Sequence, residues 1–152
     1  MLHDSIRNDI EFTLSELDRE LLATAPLFDL ASIGELDQIH TMAGAALLHS
    51  TYTAIESIFA LIQKRLDGRL SETGHWHRTL LDAMTEPTTN RRAVLSTSCR
   101  DALEDYLAFR HRFRHGYGWQ LDSHKVALKL VQLKPVLDLT KQELLYFLNT
   151  LE

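Results

Sequence analysis

Cysteine is nearly absent from this sequence, and long apolar runs are absent from its first residues. The single cysteine, Cys99, excludes an internal disulfide, and a lone thiol of this kind is usually a small buried hydrophobic side chain. The opening residues, MLHDSIRNDIEF, alternate charged with apolar side chains, which predicts neither a signal peptide nor a membrane span. We therefore expect a cytoplasmic protein that does not act in a membrane.

The chain also lacks low-complexity segments, internal repeats and the sustained apolar–polar alternation that is typical of β-strands. Its 152 residues are 45% apolar and 24% charged, as in an ordinary soluble globular protein. This length allows one compact domain to bury well over half of its unfolded surface. The sequence therefore predicts a single all-α domain that spans residues 1–152.

Apolar residues at every third or fourth position predict the helices of the first half of the chain. The first helix spans about residues 3–23, and Pro26 blocks its continuation into a short connecting stretch. A longer helix follows over about 33–66, and Gly68 ends it. A short third helix is expected over about 75–84.

The second half predicts two more long helices. The fourth helix carries a buried row whose members step by three or four positions, namely Leu95, Cys99, Ala102, Tyr106, Phe109 and Phe113. Gly116 and Gly118 stop this helix. Asp122 or Ser123 is placed to cap the last one, and Pro135 should kink or divide it. The expected fold is an antiparallel bundle of four long helices plus one short helix.

The net charge of −5 does not favour a nucleic-acid partner, but the charges are unevenly distributed. Residues 1–60 hold two basic and ten acidic side chains, whereas the remaining 92 residues hold fourteen basic and eleven acidic ones. In the second half, Arg110, Arg112 and Arg114 occur on alternate residues and form a local patch suited to phosphates. The structural alternative for this patch is a solvated, salt-bridged helix face.

The segment FRHRFRHGYGWQLD, at residues 109–122, carries the pattern on which the functional prediction depends. Arg110 is followed five positions later by His115, near the predicted end of the helix, and Tyr117 follows two positions after the histidine. This arrangement resembles the Arg-x4-His-x-Tyr signature of the HepT-like toxins, a family of HEPN ribonucleases. The resemblance rests on the helix stop and the tyrosine as well as on the spacing, because an Arg–His pair alone is a weak motif.

The resemblance extends upstream and covers about residues 38–150. The segment HTMAGAALLHSTYTAIESIFALIQKRLDG is similar to the long second helix of the family, and HWHRTLLDAM is similar to the segment that follows it. Tyr52 and Glu56 lie one turn apart on one face of this helix, and the sequence assigns them no role. The implied fold is HEPN-like, which agrees with the predicted bundle.

The resemblance implies a metal-independent endoribonuclease that acts as the toxin of a toxin–antitoxin pair and needs no cofactor. It implies RNA as the substrate, a cognate minimal nucleotidyltransferase antitoxin as a partner, and a homodimer whose two-fold axis brings both Arg–His pairs into one cleft. In that family the motif tyrosine, here Tyr117, accepts AMP groups from the antitoxin. A bulky anion so close to His115 would repel and block RNA.

The chemistry of RNA cleavage explains why a nuclease would use these residue types. Without a metal, a base must take the proton of the ribose 2′-hydroxyl, an acid must protonate the leaving 5′-oxygen, and a positive charge must stabilise the phosphorane. A histidine such as His115 suits proton transfer, because its ordinary pKa is about 6.5. Arg110 suits the third role, since guanidinium stays charged. Arg112 and Arg114 are candidates for RNA-phosphate binding, and His111 is an auxiliary candidate.

The relative direction of Arg110 and His115 is open at this point. Five residues of a regular helix turn by about 500°, so the two side chains would point about 140° apart. Either the arginine side chain reaches round the helix, or the backbone leaves the helical conformation at His115. The structural alternative to catalysis is a salt bridge from Arg110 to Glu104 or to another helix, with His115 favoured there by the helix dipole.

Two other functions are compatible with the same residues. A metal site built from His111 and His115 has suitable helical spacing, but the neighbouring arginines would repel a cation and no third ligand follows at helical spacing, so we expect no metal. The second alternative is a non-catalytic HEPN dimer that binds RNA or a nucleotidyltransferase partner. The presence of both Arg110 and His115 favours the enzyme.

Overall fold

The computed structural model describes residues 1–68, 76–116 and 121–151, although not the side chains of Arg114 and His115. These residues form no β-strand, and the all-α prediction is confirmed. They form six α-helices, namely α1 (Leu2–Ala23), α2 (Ala25–Ser32), α3 (Gln38–Ile62, continued by the π-helical turn Gln63–Asp67), α4 (Trp76–Ala83), α5 (Thr97–His115) and α6 (Ser123–Asn149).

Four of these described helices are long, as predicted, and two rather than one are short. The stretch after Thr24, expected to be a connection, forms α2, so that part of the prediction was wrong. Proline lacks a backbone N–H, but the first turn of a helix leaves that group without an intrahelical partner in any case. Pro26 lies in the first turn of α2 and therefore favours a helix start.

Capping side chains decide where two of the long helices begin. α3 begins later than predicted because the Asp37 side chain accepts a hydrogen bond from the His40 backbone N–H at 2.8 Å. Asp122 caps α6 in the same way, which confirms one of the two predicted cap positions. Pro135 lies inside α6 without dividing it, so of the two predicted effects, a kink or a division, the division was wrong.

α3 is the central helix of the bundle, because it packs against α1, α2, α4, α5 and α6. Its buried residues cover about half of its circumference at about 100° per residue, and Ile39 and Met42 on the other side are exposed. Gly44 allows α6 to approach closely, since a Cβ atom there would lie 2.9 Å from Leu130 Cδ1 and 3.1 Å from Val126 Cγ1. The central position of α3 also brings Glu56, the only carboxylate within Gln38–Ile62, among the other helices.

The stretch Gln38–Asp67 is long and apolar enough to cross a membrane by length and composition, with a mean hydropathy of 1.3. However, 56% of its most apolar window is buried inside the protein. The core helix of a globular protein can have the same length and hydropathy. The stretch is therefore weak evidence for a membrane protein.

A buried ion pair fixes the loop between α4 and α5 to the end of α3. Arg91 Nε donates to Asp67 Oδ1 at 2.9 Å and Arg91 Nη2 donates to Asp67 Oδ2 at 2.8 Å. Both side chains are buried, and the guanidinium also donates to three backbone carbonyl oxygens of the loop and of α4. This bidentate contact determines where the chain turns from α4 back to α5.

Candidate functional site

α5 carries the predicted motif and determines which way its side chains point. The Ser96 side chain caps its first turn by accepting a hydrogen bond from the Cys99 N–H at 3.1 Å. The helix continues through His115 and ends at Gly116, whose backbone is extended with φ −112° and ψ 175°. Of the two predicted geometries, departure from the helix at His115 is therefore wrong. In a regular helix, side chains five positions apart point about 140° apart.

The Arg110 side chain turns into the protein. The residue is only 8% exposed, and its Nη1 lies 3.2 Å from Glu56 Oε1 and 3.3 Å from Glu56 Oε2. Its Nε is buried and has no hydrogen-bond partner among the described residues. The sequence analysis considered Glu104 or a residue of another helix as the salt-bridge partner of Arg110. The partner is Glu56 of α3, so Glu104 is excluded and a residue of another helix is confirmed.

His77 of α4 reaches the same carboxylate. Its Nδ1 lies 2.8 Å from Glu56 Oε2 and 3.2 Å from Arg110 Nη1. Only one of these two contacts of Nδ1 can be a hydrogen bond, because a carboxylate only accepts and a guanidinium only donates. The contact to Glu56 is shorter and charge-assisted, so it is the hydrogen bond, and Nδ1 therefore carries the proton. Arg110 and His77 thus both donate to Glu56, and we name these three residues the Glu56 cluster.

Tyr52 lies one turn before Glu56 on α3. It is 1% exposed, and its hydroxyl has no hydrogen-bond partner among the described residues. Burial, followed by the negative charge of Glu56, raises the pKa of this hydroxyl well above its ordinary value. Tyr52 is therefore neutral near physiological pH and does not serve as a base.

Salt bridges between α4 and α5 hold His77 in place. Arg100 Nε donates to Asp82 Oδ1 at 2.8 Å, and Arg78 pairs with Glu104. The hydrogen bonds that Glu104 accepts from Arg78 and Arg100 lower the pKa of its carboxyl group. These pairs align α4 antiparallel to α5, so that His77 lies beside the later turns of α5, where Arg110 is located.

The exposed side of α5 carries two of the other predicted residues. Arg112 and His111 are exposed, and Arg112 lines a groove of about 340 Å³ between the end of α5 and the start of α6. Lys125 and Lys129 add basic groups to this groove, and Asp122 adds a carboxylate. Its remaining lining residues are Phe109, Phe113, Gly116, Leu121, Val126 and Leu128.

Three predicted groups lie outside the described part of the chain. Tyr117, the predicted AMP acceptor, belongs to the stretch between 116 and 121 that the structure does not describe. The side chains of Arg114 and His115 are likewise not described, although both residues belong to α5. Their functions remain predictions from the sequence.

Glu56 and His77 are the residues whose importance the sequence did not reveal. The available signal was a lone glutamate within the apolar α3, since a buried carboxylate requires a donor or a counter-ion. The sequence could not name that partner. Among the described residues, no group of three or more His, Cys, Asp or Glu side chains is placed to hold a metal ion.

The model of the HepT-like protein family matches residues 43–151, which is more than half of the chain. The chain therefore belongs to the HepT-like family, which is a family of HEPN-type toxins, and the resemblance found in the sequence is confirmed. Searches among curated proteins and among solved structures returned no match. The matched range includes all three residues of the Glu56 cluster and His115.

Proposed function

We propose that this protein is a metal-independent endoribonuclease, the toxin of a HEPN/nucleotidyltransferase toxin–antitoxin pair. The observation that carries the proposal is the match of residues 43–151 to the HepT-like family, because this range contains both Arg110 and His115. The buried ion pair between Arg110 and Glu56, at 3.2 Å, is compatible with it. This pair holds a permanent cation in one position near the end of α5, five residues before His115. A fixed charge of this kind costs no reorganisation when negative charge develops on a phosphate.

The proposed reaction is an attack of the ribose 2′-oxygen on the adjacent phosphorus. The 2′-hydroxyl loses its proton to a base, the new P–O2′ bond forms, and the P–O5′ bond breaks. His115 gives a proton to the departing 5′-oxygen, so the products are a 2′,3′-cyclic phosphate and a 5′-hydroxyl end. Arg110 stabilises the phosphorane from one side.

Arg110 presents little surface to a substrate. Since the residue is 8% exposed, only the edge of its guanidinium reaches RNA, and the exposed Arg112 with the groove lysines supplies the wider phosphate-binding charge. Arg114 is proposed to add to that charge, and His111 to assist the reaction. A charge in a poorly hydrated site interacts more strongly than one in water, so the small exposed part of Arg110 is sufficient to act on a phosphate.

The proposed functional unit is a homodimer. Side chains five positions apart on a regular helix point about 140° apart, which favours a second copy that supplies the other member of the Arg–His pair. A two-fold axis beside α5 would place a second motif opposite the first, and the two copies would then border one cleft. We place the protein in the cytoplasm, with RNA as its substrate.

Cleavage of RNA by the purified protein in excess EDTA tests this proposal. We expect total tRNA or messenger RNA to be cut, with 2′,3′-cyclic phosphate and 5′-hydroxyl ends at each site. A matched substrate with a single 2′-deoxynucleotide at a mapped site should resist cleavage there, because it lacks the attacking oxygen. RNA binding without any cleavage would instead support the alternative, a non-catalytic HEPN dimer that binds RNA or a nucleotidyltransferase.

Control of the toxin is proposed to act through Tyr117. Co-expression with a cognate minimal nucleotidyltransferase should add the mass of one or more AMP groups to the intact protein, and RNA cleavage should fall in proportion. A Tyr117→Phe variant should gain no mass and should stay active under the same conditions. An unchanged intact mass of the co-expressed wild-type protein would contradict this mode of control.

A further inference from the structure

The contact between Glu56 and His77 has the form of a carboxylate–imidazole pair. Glu56 Oε2 lies 2.8 Å from His77 Nδ1, and the Glu56 side chain is 6% exposed. With its proton on Nδ1, the neutral imidazole carries its lone pair on Nε2. The carboxylate thus selects the tautomer in which Nε2 accepts a proton, and it stabilises the imidazolium that forms afterwards.

The position of His77 is suitable for proton exchange with a substrate. Its side chain is 27% exposed, in contrast to the 9% of Arg110 and the 6% of Glu56. The Trp76 ring packs against the imidazole with 3.7 Å between the ring centroids, which limits its rotation. His77 is therefore the member of the Glu56 cluster that combines a fixed ring with access to solvent.

The charges of the cluster also favour proton uptake during the reaction. Glu56 and Arg110 cancel each other, so the cluster is neutral while His77 is neutral. When His77 takes a proton, the cluster carries one positive charge at the moment when the phosphorane carries its additional negative charge. Opposite charges that develop together in a poorly hydrated site attract each other and lower the barrier.

We propose that His77 is a second catalytic histidine of this site, the general base that removes the proton of the attacking 2′-hydroxyl. The proposal rests on the ribonuclease function proposed above and adds to it a residue of α4, outside the Arg110–His115 motif. The proton of the 2′-hydroxyl moves to His77 Nε2, while His115 supplies the proton that the 5′-oxygen takes. Glu56 acts as a positioning residue, because it touches His77 and Arg110.

Two substitutions of His77 separate catalysis from structure. His77→Asn places an N–H donor at the position of Nδ1, so it keeps the hydrogen bond to Glu56 but removes Nε2. His77→Ala removes both. If His77 is the base, both variants should cleave RNA about 100- to 10,000-fold more slowly than the wild type. Imidazole added to the buffer should restore part of the activity of His77→Ala.

His40→Ala is the matched control. His40 also donates to a carboxylate, with 2.8 Å between His40 Nδ1 and Asp37 Oδ1, but it lies at the other end of α3. Sixteen residues of helix separate it from Glu56, which is about 24 Å. This variant should cleave RNA at the wild-type rate and gain nothing from imidazole.

The pH dependence of the cleavage rate gives a readout that a structural role would not change. The wild-type rate should rise and then fall with increasing pH, because the proposed mechanism needs a deprotonated base and a protonated acid. His77→Asn should lose the rise on the acidic side and keep the fall on the alkaline side, since it lacks the base but retains His115. Circular dichroism should show that the variant keeps the helical content of the wild type.

The possible results distinguish this inference from the proposed function. A His77→Asn protein that cleaves at the wild-type rate, or with the wild-type pH profile at a lower rate, would overturn the role of His77 and leave the ribonuclease assignment intact. A wild-type protein that cleaves no RNA would overturn both. A His77→Ala protein that fails to fold would leave His77→Asn, which retains the contact with Glu56, as the deciding variant.

Discussion

Replacing His115 with alanine should lower the rate of RNA cleavage by about 100- to 10,000-fold, the range expected when a general acid–base group is lost. In the proposed reaction this histidine donates a proton to the 5′-oxygen, and alanine has no proton to give. The decrease should appear in single-turnover rates at saturating protein concentration, where RNA binding no longer contributes. The same substitution should remove the toxicity of the protein to growing cells.

The His115→Ala protein should remain folded. His115 is the last residue of α5, and loss of a charge–dipole interaction at a helix end costs about 0.3–2 kcal/mol. Thermal unfolding therefore provides the control for structure, and His40→Ala again provides the control for substitution of a histidine. Full activity of His115→Ala would exclude this residue as the acid and with it the proposed mechanism.

Replacing Glu56 with alanine should lower the free energy of unfolding by about 3–5 kcal/mol, the cost of removing one partner of a buried ion pair. Arg110, which is 8% exposed, would keep its charge without the carboxylate that now accepts from its Nη1. The change should be measured by urea denaturation at constant pH. RNA cleavage by the folded fraction should also fall, because both Arg110 and His77 lose the group that positions them.

A second variant tests whether the uncompensated charge is the cause. Glu56→Leu combined with Arg110→Met removes both charges at similar side-chain volume, and it should be more stable than Glu56→Ala. Asp18→Ala breaks an exposed pair with Lys141, and it should cost only about 0.2–1 kcal/mol. If Glu56→Ala costs no more than Asp18→Ala, the ion pair of Arg110 does not stabilise the fold.

The helices were predictable because burial in a bundle follows the helical period. The stripe expected in α1 consists of residues that are in fact buried, namely Ile6, Ile10, Leu14 and Leu17. α2 was not predicted, for two physical reasons. Its eight residues are too few to show a period, and Pro26 can end one helix or begin another.

The functional site was predictable only in part. The motif was identified from Arg110, His115 and Tyr117, and the family match is consistent with it. The partner of Arg110 was not identified, because several carboxylates of the chain were equally suitable by sequence. His77 was not identified as a candidate, since nothing in the order of residues shows that α4 lies beside α3 and α5.

The sequence by itself determined the all-α class, the order of the long helices and the family. These follow from apolar periodicity, capping residues and a short motif, and each depends on residues close together in the chain. Only the tertiary structure decided that Arg110 turns inward and that His77 joins it at Glu56. Those contacts span 54 and 21 residues of the chain, and electrostatic attraction depends on distance in space rather than on spacing in sequence.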